Sequence, residues 1–173
     1  LLFVDLDHFK HINDERGHEA GDLLLVEAAS RLNRTVRAGD TVARLGGDEF
    51  VVVTESVADP SAVVAMAERI GDEVRRPVIV PGGEVTVSAS IGIAFDDGHE
   101  PDALLRDADI ALYRAKQNGR DRFEVFDESL RIASLRRLAT ERELREGLEH
   151  DSLLVHFQPI VDLGTGATVG LEA

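Results

Sequence analysis

Along the first 126 residues, short apolar runs rich in β-branched residues alternate with stretches of helical periodicity, and that alternation leaves few folds open. Leu1 to Leu6 reads as a buried strand, and from about Gly21 to Val36 the apolar positions Leu24, Ala28 and Leu32 recur with helical spacing. Thr41–Leu45 and Phe50–Thr54 read as two short strands flanking Gly46-Gly47-Asp48-Glu49, a hairpin with glycines where a tight turn needs them. Pro60 to Arg75 is expected to be a helix with Ala, Val, Met and Ile on one side. Val85 to Phe95 alternates as one strand after a turn at Gly82-Gly83. Pro101 to Asn118 is a helix with Leu105, Ala108, Leu112 and Ala115 on one face, closed by Gly119, and Arg122–Phe126 is a final strand. This order predicts an α+β domain with one mainly antiparallel central sheet flanked by helices.

Beyond Phe126 the texture changes. Residues 127–150 form a charged, Leu-punctuated stretch with no glycine until Gly147. Leu130, Leu135, Leu138, Leu144 and Leu148 keep no heptad, so a connector helix is expected rather than a coiled coil. Residues 151–173 read as a hairpin of Leu153–Phe157 and Thr168–Leu171 around Leu163-Gly164-Thr165-Gly166.

Charge limits the partners. A formal net charge of −14 argues against a nucleic-acid-binding surface, because a phosphate backbone is held by clustered Lys and Arg. A nucleotide would be repelled too, unless divalent cations and a few placed basic residues receive it. Cysteine is absent, which removes disulfides, thiolate nucleophiles and cysteine metal sites and suits a reducing cytosol. No apolar run approaches the length of a bilayer span, so no membrane contact is expected from this stretch.

The chemistry gathers where strand ends meet turns. Asp5 and Asp7 close the first strand, while Asp48 and Glu49 sit on the hairpin turn. If those strands are neighbours, Asp5 and Asp48 converge, and hard oxygen ligands there suit Mg²⁺. Carboxylates at strand ends are otherwise simply solvated loop residues, and for Asp5 or Glu49 alone that reading is favoured. Gly46 and Gly47 weigh against it, since they remove side chains where a triphosphate must approach the backbone. No Walker-type phosphate loop occurs in the chain. His8, His11 and His18 lack regular ligand spacing, Phe9 and Ile12 read as core, and Tyr113, the single tyrosine, is expected to pack beneath its helix.

Arg44-Leu45-Gly46-Gly47-Asp48-Glu49-Phe50 resembles the signature of GGDEF-domain diguanylate cyclases. It is preceded by Asp5-Leu6-Asp7-His8-Phe9-Lys10-His11-Ile12-Asn13-Asp14 and Gly17–Asp22, and followed by Ala108–Lys116 and Asn118-Gly119-Arg120, in the family's order. The family's pattern also has a helix and a Leu-Thr-Gly-Leu-like segment ahead of the first strand, which the resemblance, starting at Leu1, does not include. His156-Phe157-Gln158-Pro159-Ile160-Val161-Asp162-Leu163 and Gly170-Leu171-Glu172-Ala173 are similar to the opening of EAL domains, which hydrolyse cyclic di-GMP.

The resemblance implies a nucleotide-cyclase or ferredoxin-like GGDEF fold over residues 1–126, a connector over 127–150, and the truncated start of an EAL domain over 151–173. It implies condensation of two GTP into cyclic di-GMP and pyrophosphate by a cytoplasmic homodimer, within a bifunctional signalling protein. Metal, two Mg²⁺ or Mn²⁺ per half-site, would be held by Asp5, the carbonyl of Leu6, Asp48 and Glu49, with Asp48 and Glu49 also catalytic. Guanine would be read by Asn13 and Asp22, and phosphate by Phe9, Lys10, Lys116 and Arg120. Gly46 and Gly47 would form the turn, and Arg37 with Asp40 an inhibitory site for the product. Glu172 would be the EAL metal ligand. For Lys116 and Arg120 the plainer alternative is favourable charge at a helix C-terminus, and for Arg37 and Asp40 a surface ion pair. The alternative function is a non-catalytic module that binds GTP or cyclic di-GMP and regulates the attached EAL domain.

Overall fold

The computed structural model describes residues 1–173 except 56, 58, 97, 99 and 151–153, and the side chains of 131, 133–135, 137, 138 and 141 within one helix, Leu135 and Leu138 among them, lie outside the described residues. The chain divides into a unit of Leu1–Ile132 and a unit of Ala133–Ala173.

The first unit is organised around strand β1 (Leu2–Leu6), all of whose residues are buried. It is the middle strand of a five-stranded sheet in the order β2 (Thr41–Gly46), β3 (Glu49–Val53), β1, β6 (Ala89–Ile93), β7 (Phe123–Val125). All pairs are antiparallel except β6 with β7. A central strand covered on both faces must be apolar on both, which is why Leu1–Leu6 shows no alternation. Leu2, Val4 and Leu6 share a core with Leu24, Ala28 and Leu32 of helix α2 (His18–Thr35) and Val63, Met66 and Ile70 of helix α3 (Pro60–Val74). Phe3, of opposite parity, packs instead with Val51 and with Ala108 and Leu112 of helix α4 (Pro101–Gln117). Asp5 shares the parity of Phe3 and so belongs to the α4 face. A short helix α1 (Phe9–Arg16) leads from β1 into α2 and buries Phe9 and Ile12.

One expectation about the first unit is corrected. The single strand expected over Val85–Phe95 is two: β5 (Gly83–Val85) pairs with an unexpected β4 (Val78–Val80), and β6 starts afresh at Ala89. Gly82, with φ 89°, makes the turn of this small hairpin. Strand β6 is buried throughout, since it lies between two strands and beneath helices, so periodicity could not locate its start. Arg31, an unforeseen buried charge, fans out from α2 onto the carbonyls of Glu73, Val74, Arg76 and Pro77, capping the last turn of α3. Its Nε donates to Glu27 at 2.8 Å.

Helix α5 (Glu128–Glu149) runs out of the first unit into the second. There β8 (Gln158–Val161) and β9 (Thr168–Glu172) form an antiparallel hairpin. Asp162 organises its loop, its Oδ1 accepting from the N–H groups of Gly164 and Thr165 at 3.0 and 2.7 Å. That turn sets the register, so the first strand is Gln158–Val161 and not Leu153–Phe157 as expected; residues 154–157 carry no strand, and Leu153 lies outside the described residues. Glu172 pairs with Gln158 at the end of this hairpin.

Candidate active site

Strand pairing alone assembles an acidic cluster. Asp5 lies opposite Glu49 on β3 and Ser90 on β6, and the N–H of Leu6 donates to the carbonyl of Asp48 at 3.2 Å. Asp5 is buried, and Asp48 and Glu49 are half-buried. Above Asp5 hangs Lys116, its Nζ 2.7 Å from Asp5 Oδ2. It reaches there because Ala108, Leu112 and Lys116 fall on one face of α4 and because α4 lies against the backbone of β6 at Gly92.

Burial pushes the Asp5 carboxyl above the ordinary range, Lys116 opposes this through its hydrogen bond and charge, and Asp48 and Asp7 push it further up. A group whose carboxyl is raised on folding contributes stability that is complete at low pH and is lost as pH rises through the raised value. In metal-free buffer, Asp5→Asn is therefore expected to be more resistant to urea than the parent chain at pH 7, with the gain vanishing below about pH 4, near the unfolded value. Equal midpoints at pH 7 would show that Lys116 fully compensates the buried charge.

The turn between β2 and β3 is open. Gly47 has φ 51°, and its carbonyl accepts from Arg44 Nε at 2.9 Å. A Cβ on Gly46 or Gly47 would meet no atom within 4 Å. Among the described residues nothing requires Gly46 to lack a side chain, which leaves space beside the carboxylates for a bulky group brought from outside.

The donors fit a hard divalent cation. Asp5, Asp48, Glu49 and the Leu6 carbonyl offer oxygen donors, and an ammonium group already lies on Asp5 as an internal cation. Among the described residues no three His, Cys, Asp or Glu side chains form a ready metal cage. A Mg²⁺ site that uses few protein oxygens and completes itself with phosphates and water matches that arrangement. Of the histidines weighed from the sequence, His8 stands at the N-cap of α1 with φ 60° and His11 pairs with Glu15 at 3.2 Å on an exposed helix surface.

Asn13 lies against Gly21, the chain neighbour of Asp22, at the α1–α2 corner. An added Cβ on buried Gly21 would sit 1.9 Å from Asn13 Oδ1, so Gly21 makes room for the Asn13 amide beside exposed Asp22. Phe9 is buried as a side chain, leaving only its backbone to meet a phosphate, whereas Lys10 is exposed. Lys116 lies in the last turn of α4, whereas Arg120 lies beyond the helix. The helix ends at Gln117, Gly119 follows with φ 111°, and exposed Arg120 lies on a left-handed turn with φ 62°.

Arg37 and Asp40 make no ion pair of the kind considered. The Arg37 N–H donates to Asp40 Oδ2 at 2.9 Å and the Asp40 N–H to the Arg37 carbonyl at 3.0 Å, closing a turn. This turn borders a groove of about 350 Å³ with Thr54, Val57, Val63 and Met66. Tyr113 is 45% exposed and not beneath its helix; its hydroxyl accepts from Gln117. Asp7, given no role from the sequence, is buried and accepts from the hydroxyls of Ser88 and Ser90, each at 2.7 Å. Its place two residues after Asp5 was the only sequence signal.

Residues 1–122 match the diguanylate cyclase GGDEF domain as a family. The chain belongs to the GGDEF family. It is 42% identical over 175 residues to the bifunctional diguanylate cyclase/cyclic di-GMP phosphodiesterase MucR of Pseudomonas aeruginosa, a match covering 100% of this chain and 25% of MucR. The chain spans about a quarter of the length of the curated relatives it matches. Among solved structures it is similar to the GGDEF domain of YfiN (TpbB) from Pseudomonas aeruginosa, with TM-score 0.70 and 42% identity over 73% of this chain and 80% of that one. The GGDEF domain of DgcB from Caulobacter crescentus, solved in complex with c-di-GMP, gives TM-score 0.65 and 32% identity over 72% and 75%. The mixed α+β sandwich with its mainly antiparallel sheet is thus the fold of GGDEF domains. Among the described residues no helix is long and apolar enough to cross a membrane.

Proposed function

We propose that residues 1–126 form a diguanylate cyclase domain that joins two GTP molecules into cyclic di-GMP, releasing pyrophosphate. The observation that carries this reading is the convergence of Asp5, Asp48 and Glu49 beside a glycine turn with open space, under the one lysine of α4. Asn13 and Asp22 hold the guanine, and Lys116, Arg120, Lys10 and the Phe9 N–H receive the triphosphate. The 3′-oxygen of one GTP attacks the α-phosphorus of the other, the bond to the β-phosphate breaks, and Glu49 takes the hydroxyl proton. Mg²⁺ or Mn²⁺ on Asp5, Asp48, Glu49 and the Leu6 carbonyl would stabilise charge on the transferred and leaving phosphates when bound. One site holds one GTP, so two chains face each other as a homodimer, and the same attack in reverse sense closes the ring. Incubation of the dimeric protein with GTP and Mg²⁺ should yield cyclic di-GMP and pyrophosphate; GTP bound but not consumed would move the assignment to a regulatory module.

Base choice gives a sharper test. Asp22 can accept from both N1–H and the exocyclic amine of guanine, a pairing adenine cannot offer. Asp22→Asn is expected to weaken GTP binding by roughly 1–3 kcal/mol and ATP binding far less. An equal loss for the two nucleotides would make Asp22 a structural residue of α2.

The groove beside Arg37 and Asp40 supports a second role, binding of the cyclic product away from the GTP site, and a guanidinium fork is suited to its phosphates and guanine edge. Cyclic di-GMP should then inhibit noncompetitively with GTP, and Arg37→Ala should relieve the inhibition; the same inhibition in both proteins would exclude the groove. Residues 151–173 are read as the opening hairpin of an EAL domain with Glu172 as a metal ligand, in a cytoplasmic portion of a bifunctional protein. MucR, which carries both activities in its name, supports that organisation.

A further inference from the structure

The turn after α4 holds a conformation that ordinary residues avoid. Gly119, Arg120 and Asp121 have φ of 111°, 62° and 51° in succession, and the last two carry a Cβ. Such a run persists only where its surroundings over-determine it. Here they do. The Arg120 N–H donates to the Ala115 carbonyl at 3.0 Å, and the Asp121 N–H donates to Asp7 Oδ2 at 3.1 Å. The Asp121 carboxylate is gripped from the far side by Arg75, whose Nε lies 2.7 and 2.9 Å from its two oxygens. One residue on, the Arg122 carbonyl accepts from the Ile91 N–H at 2.9 Å and starts the β6–β7 pairing. Arg120 through its N–H, Asp121 and Arg122 are tied down, while the Arg120 side chain itself is exposed.

Asp7 is the link to the acidic cluster. It is 3% exposed, two residues from Asp5, and is held by Ser88 and Ser90 as well as by the turn. Through it the backbone next to Arg120 is fastened to the end of β1 that carries Asp5, the same end over which Lys116 lies. A solvated loop of this composition would have no reason to adopt two left-handed non-glycine residues.

We propose that Asp7 and Arg75 are positioning residues that clamp the Gly119–Asp121 turn from opposite sides and so fix Arg120 at the triphosphate end of the site. This rests on the reading of Arg120 as a phosphate contact. Neither Asp7 nor Arg75 needs to touch the nucleotide. Asn at position 7 keeps an oxygen that can accept from the Asp121 N–H and the Ser88 hydroxyl, and the Ser90 hydroxyl can reverse to accept from its amide. The conservative substitution should therefore restore what alanine loses.

The test is binding of GTP and of guanosine to the full chain, measured by titration calorimetry in the presence of Ca²⁺ so that no turnover intervenes. Asp7→Ala and Arg75→Met are each expected to weaken GTP by about tenfold, the scale of one misplaced charge-assisted hydrogen bond, and to leave guanosine unchanged. Asp7→Asn should recover most of the affinity. In an Arg120→Ala background neither substitution should cost anything further. Losses that add to that of Arg120→Ala, or that fall equally on guanosine, would overturn the clamp and leave a structural stitch. Normal GTP affinity in Arg120→Ala alone would overturn the phosphate reading itself, and the route through Arg120 with it. Should Asp7→Ala not fold, Arg75→Met decides the question, because that side chain is 41% exposed at the end of α3.

Discussion

Asp48→Ala is expected to lower cyclic di-GMP formation by at least about a thousandfold, roughly 4 kcal/mol of transition-state stabilisation, while the domain keeps its fold. The two halves of this expectation come from different atoms of one residue. The backbone carbonyl of Asp48 accepts from the Leu6 N–H and holds the hairpin to the end of β1, a contact that alanine retains. The carboxylate is half-buried, borders the open glycine turn, and faces a neighbour, Asp5, whose ionisation it disfavours. Removing it should ease the acidic cluster in the nucleotide-free chain and deprive the bound phosphates of one hard oxygen ligand. Turnover with GTP and Mg²⁺, set beside thermal unfolding of the same preparation, checks both halves. Near-normal turnover in a folded Asp48→Ala dimer would remove Asp48 from the proposed metal site.

How far the sequence carried these conclusions depended on where the physics was local. The apolar run of β1 and the Ala108, Leu112 and Ala115 face of α4 were readable because burial on both faces of a strand leaves a continuous apolar run and burial on one face of a helix leaves a period. Turn glycines marked the β2–β3 hairpin through their backbone freedom, and the α+β architecture follows from that order of elements. The three-residue β4 left no such trace, and the break between β5 and β6 was equally invisible. Arg31 was equally hidden, since its acceptors are carbonyls 42 to 46 positions further along. In the candidate site, the residue types and strand ends named Asp5, Asp48 and Glu49, and strand pairing brings them together. The ion pair of Asp5 with Lys116 was not legible, because a helix whose register depends on one glycine contact sets it. Nor was the anchoring of Asp7, whose partners Ser88 and Ser90 come from the segment taken as part of a longer strand.

That glycine contact supplies the largest stability effect expected in the domain. Gly92 lies in the middle of β6, opposite Phe3 on β1 and Glu124 on β7, with α4 directly above. A Cβ there would fall 2.0 Å from the Ala108 carbonyl oxygen and 2.3 Å from the Leu112 nitrogen. Both are backbone atoms of a helix interior, so no side chain can swing aside. The helix would have to lift from the sheet, opening the core of Phe3, Val51, Ala108 and Leu112. Gly92→Ala is therefore expected to cost about 3 kcal/mol or more, the upper range for overpacking, read as a fall in the urea midpoint. Gly46→Ala is the control: its Cβ meets open space and its backbone is not left-handed, so the midpoint should move little. Lifting α4 also withdraws Lys116 from Asp5, so any Gly92→Ala protein that folds should bind GTP weakly, even though residue 92 touches no part of the site. A Gly92→Ala midpoint equal to that of the parent chain would mean that α4 can shift over β6 without loss, and would undo the account of how Lys116 is placed.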